Sequence, residues 1–436
     1  MLRRDFLSNT GMAIGALSTL SGVSASSAAA ESSAVAAGDW QALRNLFPLT
    51  RDYIQLSTFL LASHPKPVSQ AIERHRNALD ENPSDYWHEH FMTIDGQVSA
   101  SAARYMGGRG EQIALTDSTT MGLAMVYSGL KLKSGEEVLQ TTHDHYSTDM
   151  SLAHRADRTG AVVRKVSLYD DPQGVAAVTE AEVVSKLRAG INAKTRVVAV
   201  TWVHSSTGVK LPIRALADLI EDVNSKRAEE QKIIFCVDGV HGFGVEDEDI
   251  SELGCDFFIA GTHKWIFGPR GTGVIWGSDR GWRNSDPVIP GFGGSYGVWL
   301  GDVSLDKIPV GDHMTPGGFH SFEHRWALPE ALDLHLQLGK ANVQQRIHQL
   351  NTQTKEGLAK MSHVTLYTPK STELSSGLVC FDVAGVSQTE VVKRMHDKGI
   401  IMSSTPYRQS YARFAPSLIN NELEIDQALA EIRAMA

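Results

Sequence analysis

Cysteine is nearly absent: Cys236, Cys255 and Cys380 are all that 436 residues contain. An odd count without Cys-x-x-Cys spacing argues against a disulfide framework or a zinc site. Cys236 and Cys255 sit in apolar runs that read as buried strands, so inert core thiols are expected. A basic excess is also missing. The net charge of −9 offers no field for nucleic acid or anionic lipid. Past the N-terminus nothing approaches the ~18 consecutive apolar residues of a membrane span. His143-Asp-His145 is an HxH pair, yet no HExxH pattern accompanies it, so no metal centre is expected. Repeats, low-complexity blocks and long linkers are lacking too. What is there, 42% hydrophobic and 21% charged residues, describes an ordinary soluble globular protein long enough for more than one domain.

The chain opens Met-Leu-Arg3-Arg4-Asp5-Phe6-Leu7-Ser8, then Gly11-Met-Ala-Ile-Gly-Ala-Leu17, then small residues including Ala28-Ala-Ala30 and Ala34-Val-Ala36. A positive n-region, a weak apolar region and A-x-A make a signal peptide, here placed at residues 1–36. Its Arg-Arg-x-Phe-Leu core resembles the twin-arginine class, whose machinery exports proteins already folded. A soluble periplasmic mature protein is the expectation.

Residues 66–106 carry helical patterning. Short apolar or β-branched runs follow at 113–116, 137–141, 162–166, 197–202, 233–237, 257–260 and 273–276. Most are separated by segments that read as helices, such as 179–189 and 213–227. This alternation predicts an α/β large domain with a mostly parallel seven-stranded sheet covered on both faces. Near Pro316 the pattern changes. A helical stretch over 329–361 precedes strands at 364–367 and 377–383. Ser387-Gln-Thr-Glu390 then reads as a capping box opening a helix to Lys398. Short strands near Ile400 and Arg413 and a helix over 422–434 complete a smaller α+β domain. The expected division is 37–315 for the large domain with its N-terminal arm and 316–436 for the small one.

Two run ends carry chemistry. Asp238 closes Ile234-Phe-Cys-Val-Asp238 at the carboxyl edge of the sheet, where open α/β folds bind ligands. A carboxylate there can pair with a pyridinium nitrogen and make the ring an electron sink; it can also merely cap the next turn. His241 is placed to reach a phenolic oxygen on such a ring. Lys264 follows the next run in Gly261-Thr-His263-Lys264-Trp265. An imine-forming lysine must be partly desolvated, and Trp265, Ile266 and Phe267 supply apolar surroundings. An amine for an aldehyde and a carboxylate for a ring nitrogen are what pyridoxal 5′-phosphate (PLP) requires. Its phosphate needs N–H donors and hydroxyls at a helix N-terminus. Ser118-Thr119-Thr120 offers both at a strand-to-helix junction, where the hydroxyls also suit capping. His263 is a second phosphate candidate.

On these motifs the chain resembles the class V aminotransferase family of fold-type I PLP enzymes over nearly its whole mature length. That family includes cysteine desulfurases, isopenicillin N epimerase and related C–S lyases. The Asp-Gly-x-His, Gly-x-His-Lys-Trp and Gly-Pro-x-Gly-x-Gly series is the specific part. The resemblance implies Asp238 at the pyridine nitrogen, His241 at the phenolic oxygen and Lys264 as the Schiff-base lysine. Ser118, Thr119, Thr120 and His263 fall around the phosphate. His145 falls where the family stacks an imidazole on the cofactor ring, although His143, two residues away, leaves that register open. Residues 202–208 match the substrate-side loop with Ser205 at its polar position. Tyr411-Ala-Arg413-Phe-Ala-Pro matches the closing motif, whose arginine binds a carboxylate as a bidentate fork.

Two departures matter. Desulfurases carry a nucleophilic cysteine on a loop before that arginine, whereas residues 402–411 here are short and lack one. Persulfide chemistry is therefore not expected. Where the family often has a Gly-Thr that completes the partner subunit's phosphate site, this chain has Phe322-Glu-His324-Arg325-Trp326. The expectation is a homodimeric PLP enzyme with a shared active site, acting at the amino-bearing carbon of an amino acid or a metabolite derived from one. Lys264, Asp238 and His145 form its catalytic set. Aminotransferase chemistry leads, with epimerase or C–S lyase as alternatives that the same set can serve. A non-catalytic PLP-fold binding protein is the reading from another class, and the intact Asp238/Lys264 pair weighs against it.

Overall fold

A computed structural model describes residues 35–436. The export signal expected at 1–36 therefore lies outside the described residues, apart from its last two positions.

The large sheet is built from β2 (Ile113–Thr116), β3 (Glu137–Thr141), β4 (Val162–Val166), β5 (Thr195–Thr201), β6 (Ile234–Asp238), β7 (Phe257–Gly261) and β8 (Gly273–Gly277), in the order β2-β8-β7-β6-β5-β3-β4. The pairs from β7 to β4 are parallel, while β8 runs antiparallel to both of its neighbours. All seven sequence-predicted strands are present, each within two residues of its expected ends. Strands β5 to β8 are buried at every position. A sheet covered on both faces needs apolar residues at consecutive positions rather than alternate ones. Accordingly, Phe235, Val237 and Phe258 enter one core while Ile234, Cys236, Phe257 and Ile259 enter the other. The edge strand β4 instead carries Arg164 and Lys165, paired to Glu137 and Asp149, which discourages further strand addition.

The small domain centres on an antiparallel sheet, β12-β13-β10-β9, made of β9 (Val364–Leu366), β10 (Val379–Val383), β12 (Ser403–Ser404) and β13 (Ala412–Phe414). Two local expectations change. The helical stretch over 329–361 is two helices, Leu328–Leu338 and Lys340–Ala359, separated where Gly339 takes φ +80°. Only half of the expected capping box forms. Ser387 Oγ accepts from Glu390 N at 3.3 Å, but the Glu390 carboxylate accepts from Arg394 Nε at 2.8 Å, one turn on. The N-terminal arm also reaches further than its sequence suggested. β1 (Ile54–Gln55) pairs in parallel with β11 (Ile400–Ile401), and Leu56 joins the small domain's core. Two-residue strands leave no period to detect in a sequence.

A buried ionic cluster ties the two domains together. Glu246 accepts from Lys210 Nζ at 2.7 Å, bonds His348 Nε2 at 3.0 Å and accepts from Ser376 Oγ. Thr368 Oγ1 donates to Thr207 O at 2.7 Å in the same seam. These contacts hold the loop that carries Ser205 against the small domain.

Candidate active site

Parallel pairing of β6 and β7 brings their carboxyl ends side by side, with Asp238 in register with Ile259. Asp238 is buried and accepts from Val240 N at 3.2 Å. Burial raises its carboxyl pKa to about 6, against the opposing charge of Lys264. The chain can turn after it because the next residue lacks a side chain: a Cβ on Gly239 would lie 1.9 Å from Phe258 Cζ.

Beyond β7 the chain loops back so that Gly268 N donates to Thr262 O at 2.9 Å. Phe267 in this turn adopts φ 58°, a left-handed conformation that costs a bulky residue roughly 1–3 kcal/mol. Its buried ring sits edge-on against Phe47 at 4.9 Å, so tertiary packing fixes the turn. Lys264 projects from it with Nζ 3.3 Å from His241 Nε2. Burial lowers the ammonium pKa to about 8; Asp238 resists this and Arg413 adds to it.

At the junction after β2, Ser118 caps the helix Thr119–Gly129 by accepting from Met121 N at 3.1 Å. Thr119 Oγ1 accepts from Gly261 N at 2.8 Å, and Thr120 Oγ1 bonds Ser147 Oγ at 2.8 Å. Capping and ligand binding remain compatible. Ser118 and Thr119 act as acceptors here and keep their hydroxyl protons, while the first helical amides have no intrahelical acceptor. His263 packs toward Gly261, where a Cβ would lie 3.1 Å from its ring.

The structure separates the two histidines of the HxH pair. His143 is buried and stacked on Tyr169 at 3.8 Å, and Tyr169 in turn bonds His204 and Thr207. His145 caps the next helix through Ser147 N and faces the site; burial, then Lys264 and Arg413, lower its pKa. Asp144 between them accepts from Thr141 N at 2.7 Å and Thr201 N at 2.8 Å, which fixes the turn to the ends of β3 and β5.

From the small domain comes buried Arg413 on β13. Its Nη1 donates to Ser205 O at 2.6 Å and its Nε to Ser403 Oγ at 3.2 Å. Sequence reasoning missed two residues at this point. Phe59 lies beneath the guanidinium at 4.3 Å and 5.6 Å from the His241 ring. Tyr407 hydrogen-bonds Ser205 Oγ at 2.6 Å, with its ring 6.3 Å from that of His145. Phe59 sits far away in sequence without a motif. Tyr407 lies in the loop that lacks cysteine, where no local motif marks it.

The segment standing for Gly-Thr is the short helix Phe322–Trp326. Arg325 is buried there, between Asp95 at 3.2 Å and Asp117 at 3.3 Å, and His324 Nδ1 lies 2.8 Å from Arg270 O. Asp117 adjoins Ser118, so this segment backs the Ser118–Thr120 turn within its own chain.

Polar groups gathered at these strand ends match one ligand. Among the described residues, Nδ1 of His241 and Nδ1 of His263 are buried without a partner, and Asp238 has only a backbone donor. Buried polar atoms are normally hydrogen-bonded, so open positions gathered at one site suit a polar ligand. A pyridine nitrogen for Asp238, an aldehyde for Lys264 and a phosphate for the Ser118–Thr120 turn fit PLP. Fold and site together define a PLP-dependent enzyme of the α/β transferase class. A family profile described as "Aminotransferase class-V" matches residues 62–407, and the chain belongs to that family. It is 25% identical over 412 residues to isopenicillin N epimerase of Streptomyces clavuligerus, covering 92% of this chain and 99% of that protein. A "Probable cysteine desulfurase" of Halalkalibacterium halodurans is 27% identical over 295 residues, 66% of each chain. Among solved structures, the cystine C–S lyase C-DES bound to its product cysteine persulfide shares the fold, with TM-score 0.78 and 22% identity over 89% of this chain and 99% of that one. Another C-DES structure holds glycine covalently linked to the PLP cofactor.

Proposed function

We propose that this protein is an exported PLP enzyme of aminotransferase type acting on a small amino-bearing metabolite. The observation that carries this reading is Lys264, an amine desolvated to a pKa of about 8 beside a buried carboxylate. Bound PLP supplies an aldehyde and a ring that withdraws electrons from the α-carbon of the substrate. Lys264 would hold the cofactor through its aldehyde, and its free amine would take the α-proton on Nζ. Asp238 keeps the ring nitrogen protonated. His145 would lie against the ring, and Arg413 would hold the substrate carboxylate. One observation favours a second reading, epimerisation: the match to isopenicillin N epimerase spans nearly the whole of both chains. That chemistry uses the same proton transfer and returns the proton to the opposite face of the α-carbon. C–S lyase chemistry uses it too, and the desulfurase relatives support it.

The test is spectroscopic. PLP added to the apoprotein should give a visible absorbance band that is lost in Lys264→Ala; an unchanged band in that variant would overturn the reading. Pyridoxamine phosphate accumulating with an amino donor identifies transamination. Exchange of the α-hydrogen with solvent without it identifies epimerase or lyase chemistry.

The same proposal places the enzyme in the periplasm as a homodimer. Arg3-Arg4-Asp-Phe6-Leu7 supports twin-arginine export, and an Arg3→Lys/Arg4→Lys variant that still reaches the periplasm would overturn it. An exposed aromatic surface around Tyr296, Trp299 and Phe319 supports the dimer. A monomeric mass by sedimentation would remove that part.

A further inference from the structure

Arg413 is one of the most deeply buried cations in the chain, yet two of its three nitrogens are committed to the protein. Nε is bonded to Ser403 and Nη1 to Ser205 O, while Nη2 has no partner among the described residues. A desolvated guanidinium with a free edge calls for an anion. Ser205 is the hub of this corner. Its carbonyl accepts from Arg413 while its hydroxyl bonds the phenol of Tyr407 at 2.6 Å. Phenol and guanidinium are therefore attached to two atoms of one small residue, close enough that the charge of Arg413 acts on the phenol. Tyr407 belongs to a loop whose other tip residues, Pro406, Arg408 and Gln409, are exposed, whereas its own ring turns inward toward His145.

We propose that Tyr407 is a specificity-determining residue whose phenol leaves Ser205 and donates to the same substrate carboxylate that Arg413 Nη2 binds. This rests on the PLP reading above. Burial, reinforced by Asp238 and opposed by Ser205 and Arg413, holds the phenol near a pKa of about 12, so it stays a proton donor throughout the neutral range. A neutral donor adds a charge-assisted hydrogen bond without a second buried cation. It also selects substrates that carry the carboxylate. Because Ser205 is in the large domain and Tyr407 in the small one, the exchange of partners links recognition to the domain seam.

Two amine probes of the holoenzyme separate this role from packing. Aminooxyacetate carries a carboxylate and O-methylhydroxylamine does not, and both condense with the PLP aldehyde and displace the lysine amine, which changes the absorbance. In Tyr407→Phe the concentration of aminooxyacetate that half-saturates the response should rise ~10-fold, the loss expected for one hydrogen bond to a charged group. The O-methylhydroxylamine response should stay within about twofold, a margin of a few tenths of a kcal/mol. Equal losses for both probes, or none for either, overturn the proposal. A wild-type protein with no response to either probe defeats the PLP reading instead. Replacing Tyr407 by 3-nitrotyrosine gives a second measurement. Aminooxyacetate binding should weaken as pH rises through ionisation of the nitrophenol, followed by its own absorbance. Binding indifferent to that ionisation overturns the proposal.

Discussion

Nζ of Lys264 lies 3.3 Å from Nε2 of His241, two strand ends apart and 23 residues away in sequence. Burial keeps this histidine far below its ordinary pKa, and the charges of Lys264 and Arg413 lower it further. The imidazole is therefore neutral and can accept from the ammonium.

Desolvation of the same lysine sets the first prediction. Burial lowers Lys264 to about 8, so its neutral, nucleophilic form grows as pH rises through that value. The rate at which apoprotein takes up PLP should climb roughly tenfold per pH unit below pH 8 and level off above it, because the neutral fraction follows the proton equilibrium. Stopped-flow absorbance checks this; a flat profile between pH 6 and 9 contradicts it.

Asp238 carries an opposite pair of effects. Its folded pKa of about 6 exceeds the carboxylate's usual value, so its contribution to stability is fullest at low pH and is lost as pH rises through about 6. At pH 7.5, Asp238→Asn should unfold no lower in temperature than the wild-type apoprotein. Its turnover should fall by on the order of a hundredfold or more, as when an electrostatic partner of the reacting system is removed. A large drop in melting temperature would show a structural role instead.

The domain seam depends on Glu246. Burial pushes its carboxyl up, but His348 and Lys210 together outweigh that and keep it ionised. Glu246→Leu leaves Lys210 buried without its counter-charge and should cost about 3–5 kcal/mol, measured by urea denaturation. A loss under about 1 kcal/mol, the range of an exposed pair, would mean that water reaches the cluster.

Gly239 offers a steric test. Gly239→Ala puts a methyl group into the Phe258 ring. It should cost about 3 kcal/mol or more through overpacking and displace Asp238. Adding Phe258→Leu should recover part of both stability and PLP binding. Equal stability of Gly239→Ala and wild type would contradict this.

Much of the molecule was legible in its residues. The seven runs of the large sheet could be read because a doubly covered sheet demands unbroken apolar segments at its strands. Asp238 and Lys264 could be read because each ends such a run, and run ends meet at one edge of a parallel sheet. Ser118 could be read as a cap because its chemistry is local. The helix break at Gly339 could not, since a single glycine is tolerated inside many helices. Nor could the pairing of Ile54 with Ile400, which joins segments too short to show a period.

The sequence by itself determined the strand count, the two residues proposed to anchor the cofactor and the lack of a cysteine on the closing loop. Those features depend on residue type and near neighbours. Tertiary structure decided the rest. It sent His143 to Tyr169 and left His145 facing the site, because the strand ends and Asp144 orient that turn. It brought Phe59 under Arg413 and Tyr407 onto Ser205, contacts between residues more than 200 positions apart that only chain folding can bring together. It also desolvated Lys264, since the burial that shifts a pKa belongs to the packed molecule and to no segment of it.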